Sequence, residues 1–446
     1  MVLKRIELQG YQLKVLHLCL QDHMGAGRAA ANLHRALVAS GVDSWMLVSR
    51  NRQPDPHTLT PGGWRNLYKK VQTKWANALS RIGLGCQTTF SCNVSPTFLA
   101  PDIKRIRPDV IHVHWVGWDY LRIEDFCQLG APIVLTMNDM WAFTGGCHFS
   151  GECTQFEDLC LDCPQIRGYS ARCIALRVQK RKERAWSEQP FPVIAPSRWI
   201  QEKAARSRIL RHRNIVLIPH GIQPEWFSPP SRADARTELN LPLDGRVILL
   251  GSINPFRDPR KGFPLLLKAL KRLSAESLLR NVSLAVFGAD ELPSEITLPL
   301  PCRLFGFVSN QNVLRRLYAA ADLYVLPSLA ENLPKTALEA SACGIPVVAF
   351  NVGGLSDIVE HCRTGYLAPA GDSDGLAQGI RWALYQDARA TQEVSAACTS
   401  RMKEHFSLEN QVNRCMELYA KVHTCPTVQE PTARVCEPLQ TPHFGI

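Results

Sequence analysis

The sequence predicts an α/β protein of two Rossmann-like domains, on three grounds. Its 446 residues, 46% hydrophobic and 20% charged, suit a globular chain long enough for two domains. Residues 320–360, AADLYVLPSLAENLPKTALEASACGIPVVAFNVGGLSDIVE, read as strand, loop, helix, strand, glycine turn and helix, a βαβ unit of a parallel sheet. The chain also opens with a strand at 14–20, a flexible loop holding Gly25 and Gly27, and a helix whose apolar Ala30, Leu33 and Leu37 share one face.

In chain order, a second strand is expected at 45–49. Across 64–79, Trp64, Leu67, Tyr68, Val71, Trp75 and Ala78 recur at helical spacing, with Arg65, Lys69, Lys70 and Lys74 on other faces. Such a basic aromatic helix suits the surface of an anionic membrane. It equally suits an ordinary surface helix that lays its stripe on a sheet. Asp109 to His114 form a strand with Val110, His112 and His114 on one side. His114, nearest the strand's end, is the one placed to reach a cleft and an acceptor; His112 is read as buried and structural. A strand at 133–137 leads into Asn138-Asp139-Met140-Trp141. A helix dense in Arg and Lys follows at 167–184, then strands at 191–197 and 215–221.

The insertion at 145–166 carries Cys147, Cys153, Cys160 and Cys163, with gaps of five, six and two residues. Cys160-x2-Cys163 has the spacing of half a zinc knuckle. The wider Cys147/Cys153 pair is not standard. The loop is rich in Gly and polar residues and has no apolar pattern with which to pack, an order that four thiolates on one structural Zn²⁺ could supply. Free thiols, disulfides and an iron–sulfur cluster are the alternatives.

In the second half, strands are expected at 246–251, 282–288, 303–307, 323–326, 346–350 and 365–367, and an apolar-periodic helix at 405–422. The tail at 423–446, with Pro426, Pro431, Pro438 and Pro442, is expected to be poorly ordered. Between strands 323–326 and 346–350 lie Glu331 and, eight residues on, Glu339. A helix starting near Leu333-Pro334-Lys335 offers free N–H groups and its positive dipole end to a diphosphate, and Gly353-Gly354 permits a second close backbone approach. One carboxylate on the entry loop and one inside the helix can bind opposite ends of an elongated ligand through its hydroxyls. A nucleotide sugar has that shape.

These residues resemble the donor-binding signature of glycosyltransferase family 4, retaining enzymes of the GT-B fold. Pro327-Ser328, Glu331, Glu339-Ala340, Gly344-Ile345-Pro346-Val347-Val348 and Gly353-Gly354 all stand in register with it. The resemblance spans roughly 12–422 and extends to an exopolysaccharide, colanic-acid-type subgroup with a Cys-rich insertion. It implies two Rossmann-like domains around a deep cleft: an acceptor-side domain at 1–220, a linker near 221–244, a nucleotide-sugar domain at 221–404, and the 405–422 helix packing back on the first domain. It implies that Glu331 contacts the donor sugar, that Glu339 contacts the ribose and that Asn332 lies in the donor site. The lysine of Lys261-Gly262 would neutralise donor phosphates, and the Gly25/Gly27 loop would lie at the cleft.

Two departures from the family pattern stand out. Asn138 replaces the usual His of a His-Asp pair and cannot titrate. Ser252 occupies the position of an arginine that follows the glycine ending the strand, a role left to Arg257 or Arg260. The implied reaction is transfer of a glycosyl unit from a UDP- or GDP-sugar to a hydroxyl of a glycan or lipid-linked acceptor. No Asp-x-Asp motif is present, so no obligatory Mg²⁺ or other catalytic cofactor is expected. Rival readings are a GT-B sugar-nucleotide epimerase and a non-catalytic sugar-nucleotide-binding assembly protein.

The charge is uneven. Residues 1–220 carry 29 Lys and Arg against 17 Asp and Glu, so the first half holds the whole net excess of +11. No helix-turn-helix, RNA-recognition or zinc-finger signature points to nucleic acid. An anionic membrane surface or an acidic substrate remains as partner. With no stretch long enough to span a bilayer and no sustained N-terminal apolar run, the chain is expected to be cytoplasmic, peripheral on the inner face of the cell membrane, with its thiols mainly reduced.

Overall fold

The computed structural model describes residues 12–53, 55–78, 89–167, 169–187 and 189–424. Seven strands form the first sheet: β1 (Lys14–Gln21), β2 (Asp43–Arg50), β3 (Thr58–Leu59), β4 (Val110–Val113), β5 (Ile133–Thr136), β6 (Val193–Ala195) and β7 (Ile215–Leu217). Their spatial order is β3-β2-β1-β4-β5-β6-β7, and every pairing is parallel. Six strands form the second: β8 (Arg246–Gly251), β9 (Val282–Phe287), β10 (Cys302–Leu304), β11 (Leu323–Leu326), β12 (Val347–Phe350) and β13 (Gly365–Ala368). Their order is β10-β9-β8-β11-β12-β13, again wholly parallel.

Helices cover both faces of each sheet, which explains the near-continuous apolar runs of the central strands. β4, β5, β11 and β12 are buried at every residue. Each sheet thus reverses direction beside its first strand, and at such switch points the loops leaving the strand C-termini open a crevice.

The helix Leu408–Thr424 lies against the first sheet although it follows the second in sequence. Its Val412, Cys415, Met416 and Tyr419 pack with Val15, Leu33, Val110, Val134 and Ile194. Tyr419 Oη also lies 2.6 Å from His112 Nδ1. The strand expected at 303–307 is shorter and ends at Leu304. Residues 425–446, expected to form a poorly ordered tail, lie outside the described residues, as do 1–11.

The helix expected at 64–79 is present as Trp64–Ala78, but it presents the opposite face from an ordinary packed helix. Lys69 is fully buried and donates to the carbonyls of Pro96, Asp119 and Tyr120, while Trp64 and Trp75 are about two-thirds exposed. Three convergent carbonyl oxygens satisfy the ammonium's donors, so the helix turns its lysine in and its aromatic stripe out.

Candidate functional site

The site is assembled from loops that leave the strand C-termini of both sheets. After β11, Pro327-Ser328 breaks the strand and the chain passes Glu331 before the helix Lys335–Ala342 begins behind Pro334. Pro334 supplies the preset φ and lacks the N–H that would be orphaned there. After β8, a longer loop reaches Pro259–Lys261 and then Gly262, where the helix Phe263–Ala275 starts. Gly262 has φ +65°, and a Cβ there would strike the Pro327 carbonyl. Only glycine lets these two loops lie that close, and their contact delivers Lys261 to Glu331.

Lys261 Nζ and Glu331 Oε1 are 2.7 Å apart, with both side chains under 15% exposed. Burial alone would raise the Glu331 carboxyl. The Lys261 ammonium and, next, the Arg260 guanidinium outweigh that and hold it below its ordinary value. Arg260 also lies over the ring of Phe149 in the first half of the chain, 4.8 Å from its centroid. Arg257 turns outward and pairs with Glu291 on the surface. Of the two guanidinium candidates, Arg260 is the one beside the carboxylate.

Glu339 is buried in the same helix. Its Oε1 lies 2.6 Å from Arg28 Nη2, in the helix Gly25–Ala39 of the first half, and Tyr318 Oη is 3.4 Å from its Oε2. Lys335, in the first turn of its helix, is pushed down to about 7, by burial first and then by Arg28, with Glu339 opposing. Gly25 faces open space with φ +39°, whereas a Cβ on Gly27 would meet the Gln21 carbonyl. The loop is therefore open at Gly25 and closely packed at Gly27.

Several expected donor residues join the two halves to each other. Asn332 Nδ2 donates to the carbonyls of Met137 and Asn138 at 3.0 and 3.1 Å, and Ser197 Oγ donates to Asn332 Oδ1 at 2.7 Å. Leu333 is buried. Gly353, with φ +59°, leaves no room for a Cβ because the Glu331 carbonyl is there, and Gly354 N donates to Asn332 O at 2.7 Å. The glycine pair brings backbone up to the chain's own 331–332 loop, fixing the carboxylate's position. His114 does not reach the cleft. It is buried with Nε2 2.9 Å from His17 Nδ1, and burial, then His112, pushes its pKa well down.

A second group was read only in part: the sequence singled out Asp139 beside Asn138 but not its partners. Asp139, at the end of β5, lies 2.6 Å from His148 Nδ1 and 2.7 Å from Trp115 Nε1; Ser91 Oγ lies 2.9 Å from His148 Nε2. Burial would raise the Asp139 carboxyl, but His148 outweighs it and holds it low. Arg28 was missed too, though a lone arginine at the first turn behind the Gly25/Gly27 loop was the available signal. His148, nine residues from Asp139, was read as a cleft or surface residue, but its link to Ser91, 57 residues away, was not.

The sequence profile of the family described as "Glycosyltransferase Family 4" matches residues 24–226, and that of "Glycosyl transferases group 1" matches 244–386. A D-inositol 3-phosphate glycosyltransferase of Acidothermus cellulolyticus is 30% identical over 424 residues, 89% of this chain and 86% of that protein. The chain belongs to glycosyltransferase family 4. Among the first relatives matched, the Geodermatophilus obscurus D-inositol 3-phosphate glycosyltransferase is 32% identical over 46% of this chain and 47% of its own length; the chain spans about half the length of such relatives. In fold, the chain matches sucrose-phosphate synthase from Thermosynechococcus elongatus with a TM-score of 0.62 at 21% identity, over 92% of this chain and 99% of that one. Anabaena HepE in complex with UDP-glucose gives 0.59 at 17% identity, over 92% and 100%. The family 4 member thus has the GT-B architecture of two Rossmann-like sheets.

Proposed function

We propose that this family 4 chain transfers a glycosyl unit from a nucleotide sugar to an acceptor hydroxyl, with retained anomeric configuration. The Lys261–Glu331 pair, flanked by Arg260 at the mouth of the Lys335–Ala342 helix, carries the reading. Departure of a nucleoside diphosphate builds negative charge on its phosphates. Lys261, Arg260, Lys335 and the helix N-terminus are fixed in advance where that charge would develop, so the barrier falls without reorganisation. Glu331 then addresses the sugar hydroxyls, and Glu339 the ribose once Arg28 yields or shares it. UDP-glucose bound to the neighbour from Anabaena supports a UDP-sugar donor, with GDP-sugars the other class to test. No step in this scheme needs a metal ion.

For the acceptor, a lipid-linked or glycan hydroxyl in polysaccharide synthesis is the preferred class, reached from the cytoplasmic face of the membrane. The outward stripe of Trp64, Leu67, Val71 and Trp75, interleaved with Lys70 and Lys74, supports attachment to an anionic leaflet. Among the described residues no helix is long and apolar enough to cross a membrane, so this attachment would be peripheral. The names of the inositol 3-phosphate relatives favour a second acceptor class, a phosphorylated polyol.

One assay tests both. Purified protein is incubated with UDP- and GDP-sugars and, separately, with membrane lipid extract, oligosaccharides or inositol phosphate. Acceptor-dependent release of nucleoside diphosphate with the donor's anomeric configuration retained is the expected result. Acceptor-independent conversion would identify an epimerase, and donor binding without turnover a non-catalytic binder; either would overturn the proposal.

A further inference from the structure

Between Thr144 and the helix Tyr169–Trp186 the described chain contains no strand and no helix beyond the three-residue turn Gln155–Glu157. A polar loop of this kind normally lies on the surface. Here Cys147, Cys160 and Cys163 are each under 10% exposed, and together with Cys153, Phe90 and Phe156 they line one partly open pocket. Residues scattered over seventeen positions thus share the wall of one pocket. The scaffold around them is fixed by polar clamps. Gln179 accepts from Cys160 N at 2.8 Å and donates to Asp158 O, and Gln155 holds both the N–H and the carbonyl of Asp162.

We propose that Cys147, Cys153, Cys160 and Cys163 are the four ligands of one structural zinc ion. Four thiolates in tetrahedral array are a closed zinc set, with no position left for substrate or water. The surroundings fit the net negative charge of such a centre. Lys182 is fully buried beside the cavity, its side-chain nitrogen donating to the carbonyls of Trp141 and Thr144 and lying over the Trp141 ring, with Asp139 the nearby carboxylate. Burial pushes Lys182 down to about 7 although Asp139 already opposes this, and a zinc tetrathiolate would add negative charge that favours its ammonium.

A competing cluster exists, more tightly grouped but with most of its nitrogens engaged. His17, His112 and His114 are the only described residues whose ligand atoms all lie within 4.8 Å of one another, and the cysteine sulfurs stand more loosely around their cavity. Yet both nitrogens of His112 are already engaged, by Tyr419 and Thr136, and His17 Nδ1 is taken by His114. The histidines are a partly satisfied core network, in which His17 Nε2 has no hydrogen-bond partner. The thiols would have to close inward onto an ion, since no three of their sulfurs lie within 4.8 Å of one another.

The zinc site would also shape the cleft. His148 and Phe149 directly follow Cys147, and they hold Asp139 and underlie Arg260. Ordering this loop places Phe149 under Arg260 of the donor site and His148 against Asp139. The assignment rests on the cysteines alone and stands whether or not the transferase reading does.

The test is metal analysis of full-length protein purified anaerobically without added metal. About one zinc per chain is expected, with the four thiols shielded from alkylation until a chelator is added. Cobalt exchanged into the site should give the absorption of a tetrahedral tetrathiolate. Cys160→Ser should lose the zinc, while Cys302→Ser, at an exposed cysteine on the other sheet, should keep it. Because Cys160→Ser can misfold, the wild-type zinc content and alkylation pattern decide the matter. Metal-free protein with four reactive thiols, two disulfides in the peptide map, or bound iron would each overturn the zinc site.

Discussion

Glu331 is held as a carboxylate by Lys261 at 2.7 Å, so its replacement by glutamine removes a charge while keeping its shape. A hydrogen bond to a charged group contributes about 1.5–3 kcal/mol, which predicts a loss of roughly 10- to 150-fold in kcat for Glu331→Gln with KM for the donor little changed. Wild-type turnover in this variant would remove Glu331 from the mechanism. The pair also has a pH signature. A carboxyl held below its ordinary value stabilises the fold above that value and loses the contribution as pH falls through its lowered one. The melting-temperature gap between wild type and Glu331→Gln should therefore be constant near neutrality and close only in acid. Lys335 behaves oppositely. Its pKa, lowered to about 7, leaves much of it neutral at physiological pH, and an arriving diphosphate favours the ammonium. Donor binding should take up a proton at pH 7–9, seen as a buffer-dependent calorimetric enthalpy that disappears in Lys335→Gln. These carboxylates were legible because their register with flanking Pro, Gly and apolar residues is local. The Asp139–His148–Ser91 chain was not legible as a unit, since Ser91 joins it from 57 residues away.

At the scale of the element, periodicity located the strands well and helix orientation poorly. β11, β12 and the helix between them were readable because a doubly covered strand must be apolar throughout. The Trp64–Ala78 helix was found by its period, but period does not say which face is inside. That was decided by carbonyls of Pro96, Asp119 and Tyr120, at a distance no local pattern encodes. The consequence for membrane attachment is specific. Trp64→Ala with Trp75→Ala should lower binding to phosphatidylglycerol vesicles at least about tenfold, since each removes most of a large apolar side chain from the interface. Lys70→Glu with Lys74→Glu should weaken binding in a salt-dependent way. Lys69→Glu should instead unfold the region, because it buries an acid among carbonyl acceptors. Equal sedimentation with anionic and neutral vesicles for the wild type would assign this face to something other than a membrane.

At the scale of the whole molecule, the βαβ pattern implied two sheets, but no sequence feature announced how they touch. Asn332, placed by its position in the donor motif, lies at that junction. It bonds Ser197 and the carbonyls of Met137 and Asn138, while Arg28 crosses to Glu339 and Asp357 accepts from Arg198 N. These contacts hold the 331–332 loop against the end of β5, so the cleft geometry and the position of Glu331 depend on one small amide. Asn332→Ala deletes three hydrogen bonds across the junction while leaving both apolar cores intact. Each such bond contributes about 0.5–1.5 kcal/mol, so the closed arrangement loses roughly 1.5–4.5 kcal/mol relative to an open one. The expected result is a larger radius of gyration in small-angle scattering, a melting temperature lowered far less than a core substitution would lower it, and a fall in kcat/KM. Donor should restore part of the compaction, because phosphates bound between Lys261, Lys335 and the helix N-terminus would still favour the closed cleft. A variant as compact and as active as wild type would show that the cleft is held by its other contacts, with Asn332 a bystander at the seam.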